Sequence, residues 1–227
     1  MKRYFIYLGF VLLNSYLFSL DRFLIYPPQG ISPSQFALNY NLQAIEFYEK
    51  AILTDSFPTA VKNSGAFIKT LKAWDVVRIS QPFSVLNNSS LYSIPKAGLY
   101  LFHFKGPLKP EWVKSVKSLP DTVITHYIPN FTCIAYVGKP VSSLSSLQGV
   151  DWLGELKPEW RLSPYIQKAE NYAEGNASLV IANGNGVERT LQKLAEYGLK
   201  FKMPKNITSS YFILRVFGSR AVAEKVA

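Results

Sequence analysis

The sequence has 227 residues, enough for one large domain or two small ones with a substantial core. Hydrophobic residues make up 48% and charged residues 18%, which excludes a disordered acidic tail or a solvated linker. The formal charge is +10, but the basic residues are spread thinly with no block of like charge, so the pattern marks no nucleic-acid interface. One cysteine excludes an intrachain disulfide framework and a cysteine-rich zinc site, and two histidines limit histidine chemistry as severely.

Lys2 and Arg3 precede the apolar run 4–20, the pattern of a secretory signal. The run approaches the roughly 17–20 residues that span a bilayer, so a retained membrane anchor is the competing reading. Both place the rest of the chain outside the cytoplasm, secreted or periplasmic, with membrane contact only if the segment is uncleaved. Residues 26–33 (YPPQGISP) read as a linker. Phe36, Leu38, Leu42, Ile45, Tyr48 and Ile52 fall near helical spacing, and Ser56 and Pro58 open a second, shorter helix running through Trp74. Residues 76–79 read as a short strand. The region 21–95 is thus expected to be a linker and helical N-terminal region, with no motif that carries chemistry.

From Gly98 the grammar changes. Residues 99–105 read as a strand, and Glu111–Leu119 as a helix with Trp112, Val113, Val116 and Leu119 on one face. Two strands follow around Asn130 (122–129 and 131–137), then a helical turn or two over Ser142–Leu147, then a closing strand at 150–156. The order β-α-β-β-α-β is the ferredoxin-like arrangement, assigned to residues 96–164. Two short helices cover one face of such a sheet, so its other face is expected to be open for a partner. A second round occupies 165–227: a strand at 177–183, a helix over Val187–Tyr197 stopped by Gly198, strands at 199–203 and 211–217, and a last helix after Ser219. The closing strand is missing, which suggests a chain cut short. The expected fold class is α+β, with tandem ferredoxin-like units, the second incomplete, after the helical region.

Within 98–164 the landmarks Phe104, Gly106, Pro107, Glu111, Trp112, Tyr127, Ile128, Pro129, Asn130, Val150, Trp152, Leu153, Gly154, Pro158, Leu162, Ser163 and Pro164 stand at characteristic spacings. This stretch resembles the N-terminal propeptide region of secreted subtilisin-like serine proteases. The resemblance implies a folding template and temporary inhibitor whose partner is a subtilisin-like protease catalytic domain, in cis or in trans. It implies docking through the open sheet face, with no cofactor, no metal and no nucleic acid. The family's Asp, His and Ser motifs do not occur, so the resemblance implies no peptide hydrolysis by this chain. The alternative from another class is a stand-alone extracytoplasmic or membrane-tethered binding module.

His103, His126 and Trp160 are the candidate interface residues. The two strand histidines either face each other on the open sheet and sense pH, or simply touch solvent. Trp112, Trp152 and Trp160 serve either as interface anchors or as core-edge aromatics. Cys133 reads as a small buried hydrophobe. The run NGNG at 183–186, just after Ala182, lacks the residues of a phosphate loop and reads as a turn entering a helix.

Overall fold

The computed structural model describes residues 21–56, 59–79, 82–161, 175–182, 187–202 and 211–218. The apolar run at 4–20, the linker beyond Arg161, the glycine turn before Val187 and the last helix lie outside the described residues. The fold is mixed α+β, and every strand pairing among the described residues is antiparallel.

The N-terminal region is a sheet, which corrects the helical expectation. Its strands are β1 (Arg22–Tyr26), β2 (Glu46–Phe47), β3 (Ile52–Thr54) and β4 (Phe67–Leu71), in the order β2-β3-β1-β4. Only α1 (Pro33–Asn39) is helical; Ser32 caps it by accepting from the Gln35 amide, and Pro33 opens it. The helix stops after two turns because Asn41 takes a left-handed conformation (φ 50°) and the Leu42 amide closes back on the Ala37 carbonyl. The apolar residues beyond it divide between two sheet faces. Ile25, Ile52 and Val61 pack with Phe36 and Ala37 on one, while Leu24, Leu53, Leu71 and Trp74 pack on the other. A strand apolar on both sides mimics helical spacing, hence the misreading. The expected second helix is a 3-10 turn (Thr59–Val61) followed by β4, with Gly65 at φ 78° between them.

A short hairpin follows, formed by β5 (Val76–Val77) and β6 (Phe83–Ser84), and a 3-10 turn (Val85–Asn87) leads out of it. Next comes the sheet that the sequence pattern anticipated. Its strands are β7 (Gly98–Phe104), β8 (Thr122–Ile128), β9 (Thr132–Val137) and β10 (Val150–Glu155), ordered β10-β7-β9-β8. Helix α2 (Pro110–Lys117) follows β7, with Glu111 in its first turn and Lys114 and Lys117 in its last, each at the favourable end of the helix dipole. Trp112 and Val116 of α2, together with Leu119, pack on Tyr100, Phe102, Phe104, Cys133 and Ala135.

No helix forms over Ser142–Leu147, correcting the second expectation. The Ser143 hydroxyl accepts from the Ser145 amide, the local turn by which serine competes with helix. Leu144 and Leu147 still reach the core that a helix would have covered. After β10, α3 (Pro158–Arg161) is a single turn.

The last described elements are β11 (Gly175–Ala182), α4 (Val187–Glu196), β12 (Lys200–Lys202) and β13 (Tyr211–Gly218). The strand order is β11-β13-β12, and Leu194, Leu199 and Leu214 form a core there. Gly198 (φ 79°) terminates α4 as expected, with the Leu199 amide reaching back to the Leu194 carbonyl.

Candidate functional site: the second face of the β7–β10 sheet

Side chains alternate along β7, so Tyr100, Phe102 and Phe104 face α2 while Leu99, Leu101 and His103 face the other way. On β10, Leu153 joins the α2 side and Trp152 the opposite one. Gly154 explains how a tryptophan fits there: a Cβ at that position would lie 2.1 Å from the Trp152 ring. The indole therefore lies over the strand itself.

This second face was expected to be open; it is covered. Val77, Phe83 and Val85 of the β5–β6 hairpin region pack on Leu101, Trp152 and Leu156. Phe83 stacks on Trp160 at 4.6 Å between ring centres and tilts against Trp152 at 5.4 Å. The Trp152 indole N–H donates to the Asn88 carbonyl at 3.0 Å. Beside the hairpin, the Ser90 hydroxyl accepts from the Leu153 amide and the Leu91 amide donates to the Leu153 carbonyl, which closes part of the β10 edge.

All three candidate residues belong to this side of the sheet, but they are not brought together. His103 is fully buried rather than surface-facing, with Nε2 donating to the Trp74 carbonyl at 2.8 Å and its ring 5.5 Å from the Trp74 ring. Burial holds its pKa below the usual histidine value. His126 is half-buried on β8 opposite Ile134, so β9 separates it from His103. Burial lowers its pKa as well. Trp160 is half-buried beneath Phe83. Cys133 lies on the opposite face, where burial pushes its thiol up to about 12.

Sequence reasoning missed the polar seam that surrounds His103. Arg22 on β1 pairs with Asp151 at 2.8 Å, donates to the Lys105 carbonyl and lays its guanidinium 3.2 Å over the Trp74 ring. Asp75 is buried and accepts from the Ser84 hydroxyl at 2.5 Å. Asn130, in the β8–β9 turn at φ 65°, donates from its amide to the carbonyls of Ala73 and Val76 at 2.8 and 2.9 Å. A second polar joint lies nearby, where Glu46 meets Lys105 at 2.5 Å and Lys109 at 2.8 Å. Burial pulls the Glu46 pKa upward, but the two ammonium groups outweigh it and hold the carboxyl below its usual range. The one sequence signal for the seam was Asn130-Phe131 in a tight hairpin position where glycine normally follows asparagine.

Chemically, the seam binds structure to structure. The Ser84 hydroxyl is committed to Asp75 and His103 Nε2 to a carbonyl, so the three do not form a nucleophile–base relay. Among the described residues no group of three or more metal-ligating side chains gathers, and no helix is long and apolar enough to cross a membrane. No protein-family model matches the sequence, and comparison with curated proteins and with solved structures finds no match either.

Proposed function

We propose that this chain is the pro-region of a secreted subtilisin-like serine protease, a non-catalytic folding template and inhibitor for a protease catalytic domain. The observation that carries the reading is the strand order β10-β7-β9-β8 with α2 after the first strand, built from the residues that bear the resemblance. Numbered within the unit, this is the fourth-first-third-second order of a ferredoxin-like sheet, here with one helix instead of two. The last described sheet repeats first-third-second with a helix after its first strand, which supports a tandem.

The landmark residues also have structural work that explains their spacing. Trp112 is core under α2, Trp152 and Gly154 shape one face of β10, and Asn130 pins the turn to the N-terminal region. Such residues specify a fold that recognises another protein by shape, and contribute no reacting group.

The test is inhibition and refolding. The full chain, titrated against subtilisin-like catalytic domains, is expected to slow peptide hydrolysis and to raise the yield of active enzyme on dilution from denaturant. No effect on either across a panel of such domains overturns the reading. The covered second face favours a second reading, a self-sufficient extracytoplasmic binding module, because the chain already buries both faces of its own sheet. Under that reading neither effect appears, although the chain melts cooperatively as a monomer.

A further inference from the structure

The two faces of the β7–β10 sheet are closed in different ways. The α2 face is closed mainly by apolar packing, with Phe104 stacked on Trp112 and Val116 and Leu119 beside it, and the Ser115 hydroxyl of α2 accepts from the Gln148 amide at 3.0 Å. The other face is closed by a hairpin whose polar bonds are mostly internal. The Val85 amide donates to the Asp75 carbonyl, the Ser84 hydroxyl to the Asp75 carboxylate, and the Asn88 amide group to the Ser84 carbonyl. To the sheet and its turn the hairpin is tied by few polar bonds: Asn130 to Val76, and Trp152 to Asn88. It is therefore built as a unit and attached as a unit.

Two kinds of unfavourable feature gather where it attaches. The buried side-chain atoms without a hydrogen-bond partner among the described residues are Arg22 Nε, Trp74 Nε1, Asp75 Oδ1 and His103 Nδ1. Trp74 links them, through the guanidinium on its ring, the histidine on its carbonyl and Asp75 next in the chain. Among the described residues, three of the five non-glycine residues with positive φ also lie here: Ala73 (51°), Asn130 (65°) and Phe131 (60°). A buried unpaired polar atom forgoes the hydrogen bond it makes in water, and a bulky residue at positive φ is strained. Opening the joint lets water reach the unpaired atoms and frees Ala73 on the hinge side, while Asn130 and Phe131 keep their place in the β8–β9 turn; strain of this kind concentrates where a structure has two states.

We infer that the hairpin, through its described residues Asp75–Ile79 and Phe83–Asn88, is a cap that opens as one unit while the sheet and α2 stay folded. Ala73–Trp74 and the segment after Asn88 are its hinges. Opening uncovers Leu99, Leu101, Ile134 and Trp152 as one apolar face and lets water reach the seam. This holds whether or not the chain serves a protease, so its test needs no partner.

Native-state hydrogen exchange on the full chain decides it. The Val77 and Val85 amides are expected to exchange through an opening at least about tenfold more populated than the one that exposes the β7 and β9 amides. Asn130→Gly keeps the turn conformation, removes the side-chain bonds to Ala73 in the hinge and Val76 in the cap, and should speed exchange at the cap about tenfold or more, leaving β7 and β9 unchanged. A thiol pair gives a second readout. Val85→Cys places a thiol on the buried side of the cap itself and should label faster than native Cys133 under α2. A common exchange free energy for cap and sheet, or equal labelling of the two thiols, overturns the inference.

Discussion

Replacing Gly149 by alanine tests how tightly the landmark Trp112 is held. Gly149 sits at φ 68°, and a Cβ built there would lie 2.2 Å from the Trp112 ring. That ring cannot retreat easily, because Phe104 stacks on it at 6.1 Å and Tyr48 meets its edge at 6.2 Å. Two costs add. A non-glycine residue in the left-handed region loses about 1–2 kcal/mol, and overpacking a closed core costs about 1–3 kcal/mol more. The expected loss for Gly149→Ala is thus about 2–5 kcal/mol, measured by urea unfolding followed by tryptophan fluorescence. Gly30→Ala is the control, since Gly30 shares the positive φ (89°) but meets nothing within 4 Å, and only the backbone cost of about 1–2 kcal/mol remains. In a Trp112→Phe background the smaller ring leaves room, and the Gly149→Ala penalty should shrink toward the control value. Equal penalties for Gly149→Ala and Gly30→Ala, with no relief from Trp112→Phe, would refute the packing argument.

Acid should loosen the molecule through His103. Its folded-state pKa lies below the unfolded value near 6.5, so the unfolded chain takes up a proton that the folded chain refuses. Stability is then full above that value and falls as pH drops below it; the urea midpoint should decline between about pH 7 and 5, and His103→Gln should flatten the decline. Arg22→Met strands Asp151, which is about a quarter exposed, and should cost about 2–3 kcal/mol, below the range for fully buried pairs; a loss under about 0.5 kcal/mol would mean that the pair holds nothing. Cys133, with its thiol pushed up to about 12 by burial, should resist a thiol reagent at pH 8 in native buffer and react at once in denaturant. Fast native labelling would contradict its placement beneath α2.

What the sequence disclosed depended on how each strand is buried. Strands β7 and β9, helix α2 and the turn at Asn130 were legible because each is a compact apolar run or stripe bounded by proline, glycine or asparagine, although β7 too buries both of its faces. The N-terminal sheet was hidden because β1 and β3 bury both faces: Leu24 and Leu53 point to one core, Ile25 and Ile52 to another. Such runs carry no alternation, and their residues fall by chance at helical intervals. Residues 142–147 misled in a different way, since the two leucines have helical spacing but the serines around them prefer local turns. The polar seam was illegible for a topological reason. Arg22, Trp74, His103 and Asp151 are distant in sequence and meet only once two sheets have packed.

The seam also bears on why the N-terminal sheet docks where it does. An apolar interface tolerates sliding, because one leucine contact replaces another at little cost. Arg22 has no such freedom: a shift of one residue along β1 would point its side chain to the opposite face, away from Asp151 and the Lys105 carbonyl. The charge would then be buried without its partner, a penalty larger than any apolar contact could return. The same reasoning applies to Glu46, whose carboxylate is held between Lys105 and Lys109. Two ionic joints therefore fix the position and register of the N-terminal sheet, at some expense in stability. The hairpin that continues from this sheet is carried onto the second face of the β7–β10 sheet as a consequence. Coverage of that face thus follows from how the N-terminal sheet is anchored, and the cap can open at its hinges while the anchor stays closed.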